Sequence, residues 1–120
     1  MTKPEFQHIN TNMVGDVAVV EVTARELRFP PQARELGEEL AVVAAQDWSA
    51  RLLVNLGHVR YLSSTGFAIL FNLVRQAREN GRVVKFCALA PEVQIGAEIV
   101  GLDQIAEVYE TERAALASFG

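Results

Sequence analysis

Three hydroxyl residues stand together in "YLSSTGFAIL", residues 61–70: Ser63, Ser64 and Thr65, followed by Gly66 and the apolar Phe67. They lie between a strand-like run and a strongly apolar one, at the expected mouth of a helix. Two kinds of chemistry suit that place. A hydroxyl can cap the helix by accepting one of its first amides, which have no partner inside the helix. It can also be an oxygen on which charge is added and removed. A phosphate on Ser64 would bring about −1.5 to −2 charges at neutral pH. The free amides and the dipole of a helix N-terminus tolerate that anion, so the fold could persist while its surface changed. Capping needs one hydroxyl, not three, and does not explain a glycine in the first turn, where it costs helix stability. Without a side chain, Gly66 is expected to leave room for a docking protein or a kinase.

Other residues able to do chemistry are scattered. His8 and His58 are far apart and fit no metal-ligand spacing. No G-x-S-x-G elbow surrounds a serine, and no glycine-rich phosphate loop follows a strand. Cys87 falls within a strand-like run, where a packed thiol is expected in place of a nucleophile. Trp48 reads as a packing or surface residue. Asp103 and Glu107 could be paired carboxylates, but a solvated loop and strand edge account for them equally well. The expectation is a protein that is not an enzyme, with no catalytic residue, metal or cofactor.

The elements that must position the hydroxyls are legible from periodicity. "EFQHINT" alternates imperfectly, with Phe6, His8 and Asn10 on one side, and "NMVGD" reads as a turn around Gly15. The β-branched "VAVVEVTA" from Val17 completes an antiparallel hairpin. Pro30-Pro31 can open a helix, and Ala33, Leu36, Leu40, Val43 and Ala44 form its apolar stripe up to about Gln46. "RLLVNLGHV" is a strand suited to burial on both faces. Phe67, Leu70, Phe71, Val74 and Ala77 mark a second helix, with Leu70, Phe71 and Val74 buried and Arg75 and Arg78 exposed. Asn80-Gly81 stops it. "RVVKFCAL" is a strand, Pro91 opens a third helix that Gly101 closes, "QIAEVYE" is a final strand, and Thr111 caps a last helix with Ala115, Leu116 and Phe119. The order β-β-α-β-α-β-α-β-α demands parallel pairing through right-handed crossovers beyond the hairpin. The expected fold is α/β: one domain over residues 1–120, with a mixed, mostly parallel sheet, an N-terminal antiparallel hairpin and about four packed helices.

Composition agrees. Of 120 residues half are hydrophobic and 22% charged, with a net charge of −4, which disfavours nucleic acid as a partner. No apolar run approaches the ~20 residues that cross a bilayer, and no apolar core of a leader follows Met1. A single cysteine permits no internal disulfide and suits a reducing cytoplasm.

"VNLGHVRYLSSTGFAILFNLVRQARENGRVVKFCALAPEVQIGAEIVGLDQIAEVYET" resembles STAS domains of the bacterial anti-sigma-factor antagonist family. The likeness runs from Val17 to the C-terminus and is strongest from Leu52 to Val108. Its features are a strand ending before a D-S-[ST]-G-like turn, a helix, "NGR" before the next strand, a proline opening the third helix, and "GLDQIAEVYE". The resemblance implies a partner-switching regulator. In the family the unmodified antagonist binds an anti-sigma factor that is also a serine kinase, which frees the sigma factor for transcription. Phosphorylation breaks that complex, and a PP2C-type phosphatase restores it. Carried over, Ser64 takes the phosphoacceptor position, ahead of Ser63 and Thr65, with Gly66 as the motif glycine. Arg28, Ser63, Ser64, Thr65, Gly66 and Phe67 then form the expected partner surface. Two positions depart from the pattern. Ser63 stands where many members have aspartate, and "VTARELRFPPQA" replaces the usual glycine and aspartate, with Arg28 near the aspartate position. Ser63 lacks a charge that would repel a phosphorylated neighbour and that a kinase could recognise, whereas Arg28 would reverse the local electrostatics and could reject the usual kinase. They leave a second expectation: an adaptor never phosphorylated, such as a STAS subunit of a lipid-transport ABC complex or a signalling scaffold. The edge of the hairpin is where a weak homodimer could form.

Overall fold

Residues 6–120 are described by the structure, a computed structural model of the chain. The hairpin is β1 (Ile9–Val14) and β2 (Val17–Val22). Val14 pairs with Val17, so Gly15 and Asp16 alone make the turn, and Gly15 adopts φ +60°. Glycine at the first turn position matches a type II′ hairpin, whose twist suits the flanking strands. The strand begins later than the alternation predicts. Phe6–His8 bends instead towards the first helix, where the Gln7 and His8 amides donate to the Glu39 carboxylate at 2.8 and 2.9 Å. Asn12–Val14, expected in the turn, remain in the strand.

After β2 come β3 (Glu26–Leu27), α1 (Pro30–Ala44), β4 (Arg51–Asn55), β5 (Tyr61–Leu62) and α2 (Ser64–Glu79). Then follow β6 (Val83–Cys87), α3 (Pro91–Val100), α4 (Leu102–Ile105), β7 (Val108–Tyr109) and α5 (Glu112–Ser118). The main sheet has the order β1-β2-β4-β6-β7, antiparallel only between β1 and β2. The α/β fold with its N-terminal hairpin is therefore as the alternation of elements requires.

The central strands β2, β4 and β6 are buried on both faces, which is why they read as short runs with little polar interruption. On one side Leu36, Leu40 and Val43 of α1 and Leu70, Leu73 and Val74 of α2 pack on Val20, Leu52, Val54 and Phe86. On the other, Val17, Val19, Leu53 and Cys87 lie with Ala115 of α5. Arg75 and Arg78 are exposed, but Phe71 is only half-buried, and Leu73 takes the buried place instead. One residue past Leu70 turns a side chain by about 100°, which moves Phe71 to the margin of the stripe.

Three further boundaries differ from expectation. β4 stops at Asn55, because the Asn55 carboxamide oxygen accepts the Gly57 amide at 2.8 Å and the chain turns. The last strand shrinks to Val108–Tyr109 because Leu102–Ile105 is helical. Helix α1 ends at Ala44, where the Arg82 guanidinium donates to the carbonyls of Ala44 and Gln46. The small parallel pair β3–β5 has no counterpart in the periodicity reading.

Candidate functional site

Helix α2 starts where the sequence places the hydroxyls, and its geometry separates their tasks. Ser63 is the N-cap, with extended backbone (φ −71°, ψ 169°), and its Oγ accepts the Gly66 amide at 3.2 Å. The cap bond thus belongs to half-buried Ser63. Ser64 and Thr65 occupy the first turn and are exposed. Ser64 therefore offers its hydroxyl to solvent beside the free amides of a helix start.

Gly66 is buried, and its smallness serves packing: an added Cβ would fall 2.3 Å from Leu62 Cδ1 and 2.9 Å from Leu62 Cγ. The room expected here for a docking protein is filled by Leu62. Phe67, 6% exposed, faces inward. Its ring lies so near α3 that a Cβ on Gly96 would come within 2.9 Å of it. Gly66 and Phe67, both expected on the partner surface, hold the helix start and leave the outward face to their neighbours.

The β3–β5 pair brings the distant Arg28 to this place. Glu26 is in register with Tyr61 and Leu27 with Leu62, and the Ser63 amide donates to the Leu27 carbonyl at 3.2 Å. Arg28 follows directly. Its guanidinium lies 4.2 Å from the centre of the Tyr61 ring, and its Nε donates to Glu26 Oε1 at 2.6 Å. Both members of that ion pair are about half exposed, so solvent screens it and it adds little to stability. Arg28, Ser63, Ser64 and Thr65 are thus brought together. Glu26, Phe29 and Tyr61 complete the rim. Phe29 is 68% exposed, an aromatic side chain of the kind enriched at protein interfaces. Sequence reading passes over Glu26 and Tyr61 because two-residue strands have no periodicity, and over Phe29 because it falls in the irregular stretch before the prolines.

The other candidates stay apart. His8 pairs with Glu35 at 3.1 Å and His58 with Glu21 at 3.4 Å. Among the described residues no three His, Cys, Asp or Glu side chains gather as a metal site would require. Cys87 is buried, and burial first, then the Glu112 carboxylate, push its thiol up to about 12. Glu107 is engaged by Lys85 and Tyr109. Hydrogen bonds from Tyr109 and Lys85 hold its carboxyl below the usual range, and Lys85 Nζ sits 3.3 Å away. Trp48 lies in a short 3-10 turn, 41% exposed.

Comparison with known proteins gives a consistent answer. The STAS domain model matches residues 9–115. The chain is 31% identical over 87 residues to BtrV of Bordetella bronchiseptica, described as an anti-sigma factor antagonist, covering 72% of this chain and 74% of that one. An anti-sigma factor antagonist from Mycobacterium paratuberculosis superposes with a TM-score of 0.80 at 24% identity, over 92% of this chain and 91% of that one. The phosphorylated form of the Bacillus cell fate determinant SpoIIAA superposes with a TM-score of 0.70 at 14% identity, over 93% and 99% of the two chains.

Proposed function

The chain belongs to the STAS domain family as a protein of the anti-sigma factor antagonist type, and from that premise we propose that it is a partner switch operated by phosphorylation of Ser64. Unmodified, the face formed by Ser64, Thr65, Arg28 and their rim binds an anti-sigma factor that is also a serine kinase. That kinase transfers the γ-phosphoryl group of ATP to Ser64 Oγ. The hydroxyl proton passes to a base of the kinase, and ADP leaves. A PP2C-type phosphatase hydrolyses the ester and restores the binding form. The protein is the substrate and the binding module, working as one domain in the cytoplasm.

One observation supports this reading above the others: Ser64 is exposed in the first turn while Ser63 supplies the cap bond. Modification of Ser64 therefore costs the helix no cap. It adds charge and bulk where a partner would sit, and the helix dipole offsets the charge within the molecule. Arg28 adds a cation near the same helix start, where the family more often has an acid. The test is incubation with the cognate kinase and ATP. The expected result is one phosphate on Ser64 and none on Ser64→Ala. Equal uptake by both proteins would overturn the assignment.

A second reading rests on the same Arg28, already engaged by Glu26 and Tyr61, and on Ser63 in place of an acid. Here the protein is an adaptor that is never modified. Recovery of an ATP-binding transporter subunit from native lysate, without a kinase, would favour it.

A further inference from the structure

Arg28 stands one residue beyond the β3–β5 ladder, and Ser64 two residues beyond it. Leu27 is in register with Leu62, and the Ser63 amide donates to the Leu27 carbonyl at 3.2 Å. Arg28 follows the residue that accepts this bond, and Ser64 follows the residue that donates it. Their backbones are thus held side by side, at about the 4.8 Å spacing of paired strands and one residue of stagger. Leu27 and Leu62 are buried, whereas Glu26, Arg28, Tyr61 and Ser64 are exposed.

In this state the guanidinium points back along the pair, away from the helix start. It lies over the Tyr61 ring at 4.2 Å and donates to the Glu26 carboxylate. Little holds it there. The Arg28 and Glu26 side chains are 53% and 46% exposed, and exposed ion pairs and cation–π contacts are weak. The chain carries a net charge of −4, yet three arginines stand at this pair against one acid, Glu26. Arg25 and Arg60 are at its far end, where the Arg60 amide donates to the Arg25 carbonyl at 2.7 Å.

We propose that Arg28 is a clasp for a phosphate on Ser64: once Ser64 is modified, the guanidinium leaves Glu26 and Tyr61, turns forward and binds the phosphate oxygens. A phosphate outcompetes one exposed carboxylate. It carries about −1.5 to −2 charges and three acceptor oxygens at neutral pH, and it fits the guanidinium fork with two parallel bonds. The Ser64 and Thr65 amides, in the first turn, lack partners within the helix and add to the hold. An acid at position 28 would repel the phosphate instead.

The clasp rests on Ser64 as the acceptor and adds what modification does to the surface around it. Unmodified, the face presents a neutral hydroxyl, a closed Arg28–Glu26 pair and a Tyr61 ring covered by the guanidinium. Modified, it presents a phosphate partly neutralised by Arg28, a freed Glu26 carboxylate and a bare Tyr61 ring. The rim therefore reports the state of Ser64 to a partner that never touches the phosphate.

The test uses the full chain with phosphoserine inserted at position 64 during synthesis, so no kinase is required. Phosphorus NMR across pH reads the phosphate's second proton in the parent and in Arg28→Gln. The parent phosphate should bind that proton at least about threefold less tightly, because a nearby cation favours the dianion. Arg25, Arg60 and Glu26, and Glu92 and Glu98 on α3, which packs on Phe67 through Gly96, are common to both proteins. The Arg28 Nε–H signal should also shift when unmodified and modified parent are compared. Should Arg28→Gln fail to fold, that signal decides. A phosphate that titrates alike in both proteins, or an Arg28 signal unmoved by modification, overturns the clasp and leaves Ser64 as acceptor untouched. Refusal of Ser64 by the cognate kinase overturns the switch and leaves both NMR measurements standing.

Discussion

Replacing Ser63 by alanine removes the oxygen that accepts the Gly66 amide, and losing such a cap costs about 1 kcal/mol. Ser64→Ala removes an exposed hydroxyl from the first turn and should change stability by less than about 0.5 kcal/mol. Urea denaturation of the two variants separates these neighbours: the midpoint should fall for Ser63→Ala and hold for Ser64→Ala. If the order reversed, Ser64 would be the structural residue and its role as a reversible acceptor would be lost. Gly66 shows how a residue type can be noticed for one reason and required for another. Its place in the first turn is visible in the sequence, whereas Leu62 pressing against it is visible only in space.

Among elements, α2 matters most, because it holds the acceptor at its start and fills the core along its length. Leu70 is 1% exposed between the two helices and the sheet. Leu70→Ala should cost about 2–5 kcal/mol, by lost burial and the cavity left behind. Phe71→Ala should cost less, since Phe71 sits half in solvent at the edge of the stripe. Thermal or urea unfolding of the pair checks the orientation of the helix. The apolar spacing of Phe67, Leu70, Val74 and Ala77 made this helix legible, and β-branched runs did the same for β2 and β6. The β3–β5 pair was not legible: its two-residue strands are held by backbone bonds such as Ser63 to Leu27, and no side-chain period records them. That pair brings Arg28 to the acceptor.

For the whole molecule, the buried thiol links stability to pH. The native state holds the Cys87 proton more tightly than the unfolded chain, with the pKa raised from 9.0 to about 12 by burial first and Glu112 second. The stability from that proton is complete below pH 9 and disappears as pH rises through 12. The parent should therefore lose stability faster than Cys87→Ala above pH 9, so the gap between their urea midpoints narrows as pH rises. A gap that stays constant up to pH 11 would show a thiol that titrates as freely when folded as when unfolded. The same packing shows why a modification at Ser64 need not disturb the core: the acceptor lies outside the layers that bury Cys87, Leu53 and Phe86.

The order of the five main-sheet strands and the four longer helices, the burial of the sheet on both faces and the position of the hydroxyl cluster at a helix start were determined by sequence alone. Each follows from a local rule: a period of two, a period of 3.6, or a proline, glycine or hydroxyl at an element's end. Tertiary structure decided which hydroxyl caps and which stays free, why Gly66 must be small, and that Arg28 comes to rest beside Ser63. The first two turn on side-chain geometry within a single turn, which residue types alone do not specify, and the last on pairing between segments more than thirty residues apart, of which a local pattern carries no information.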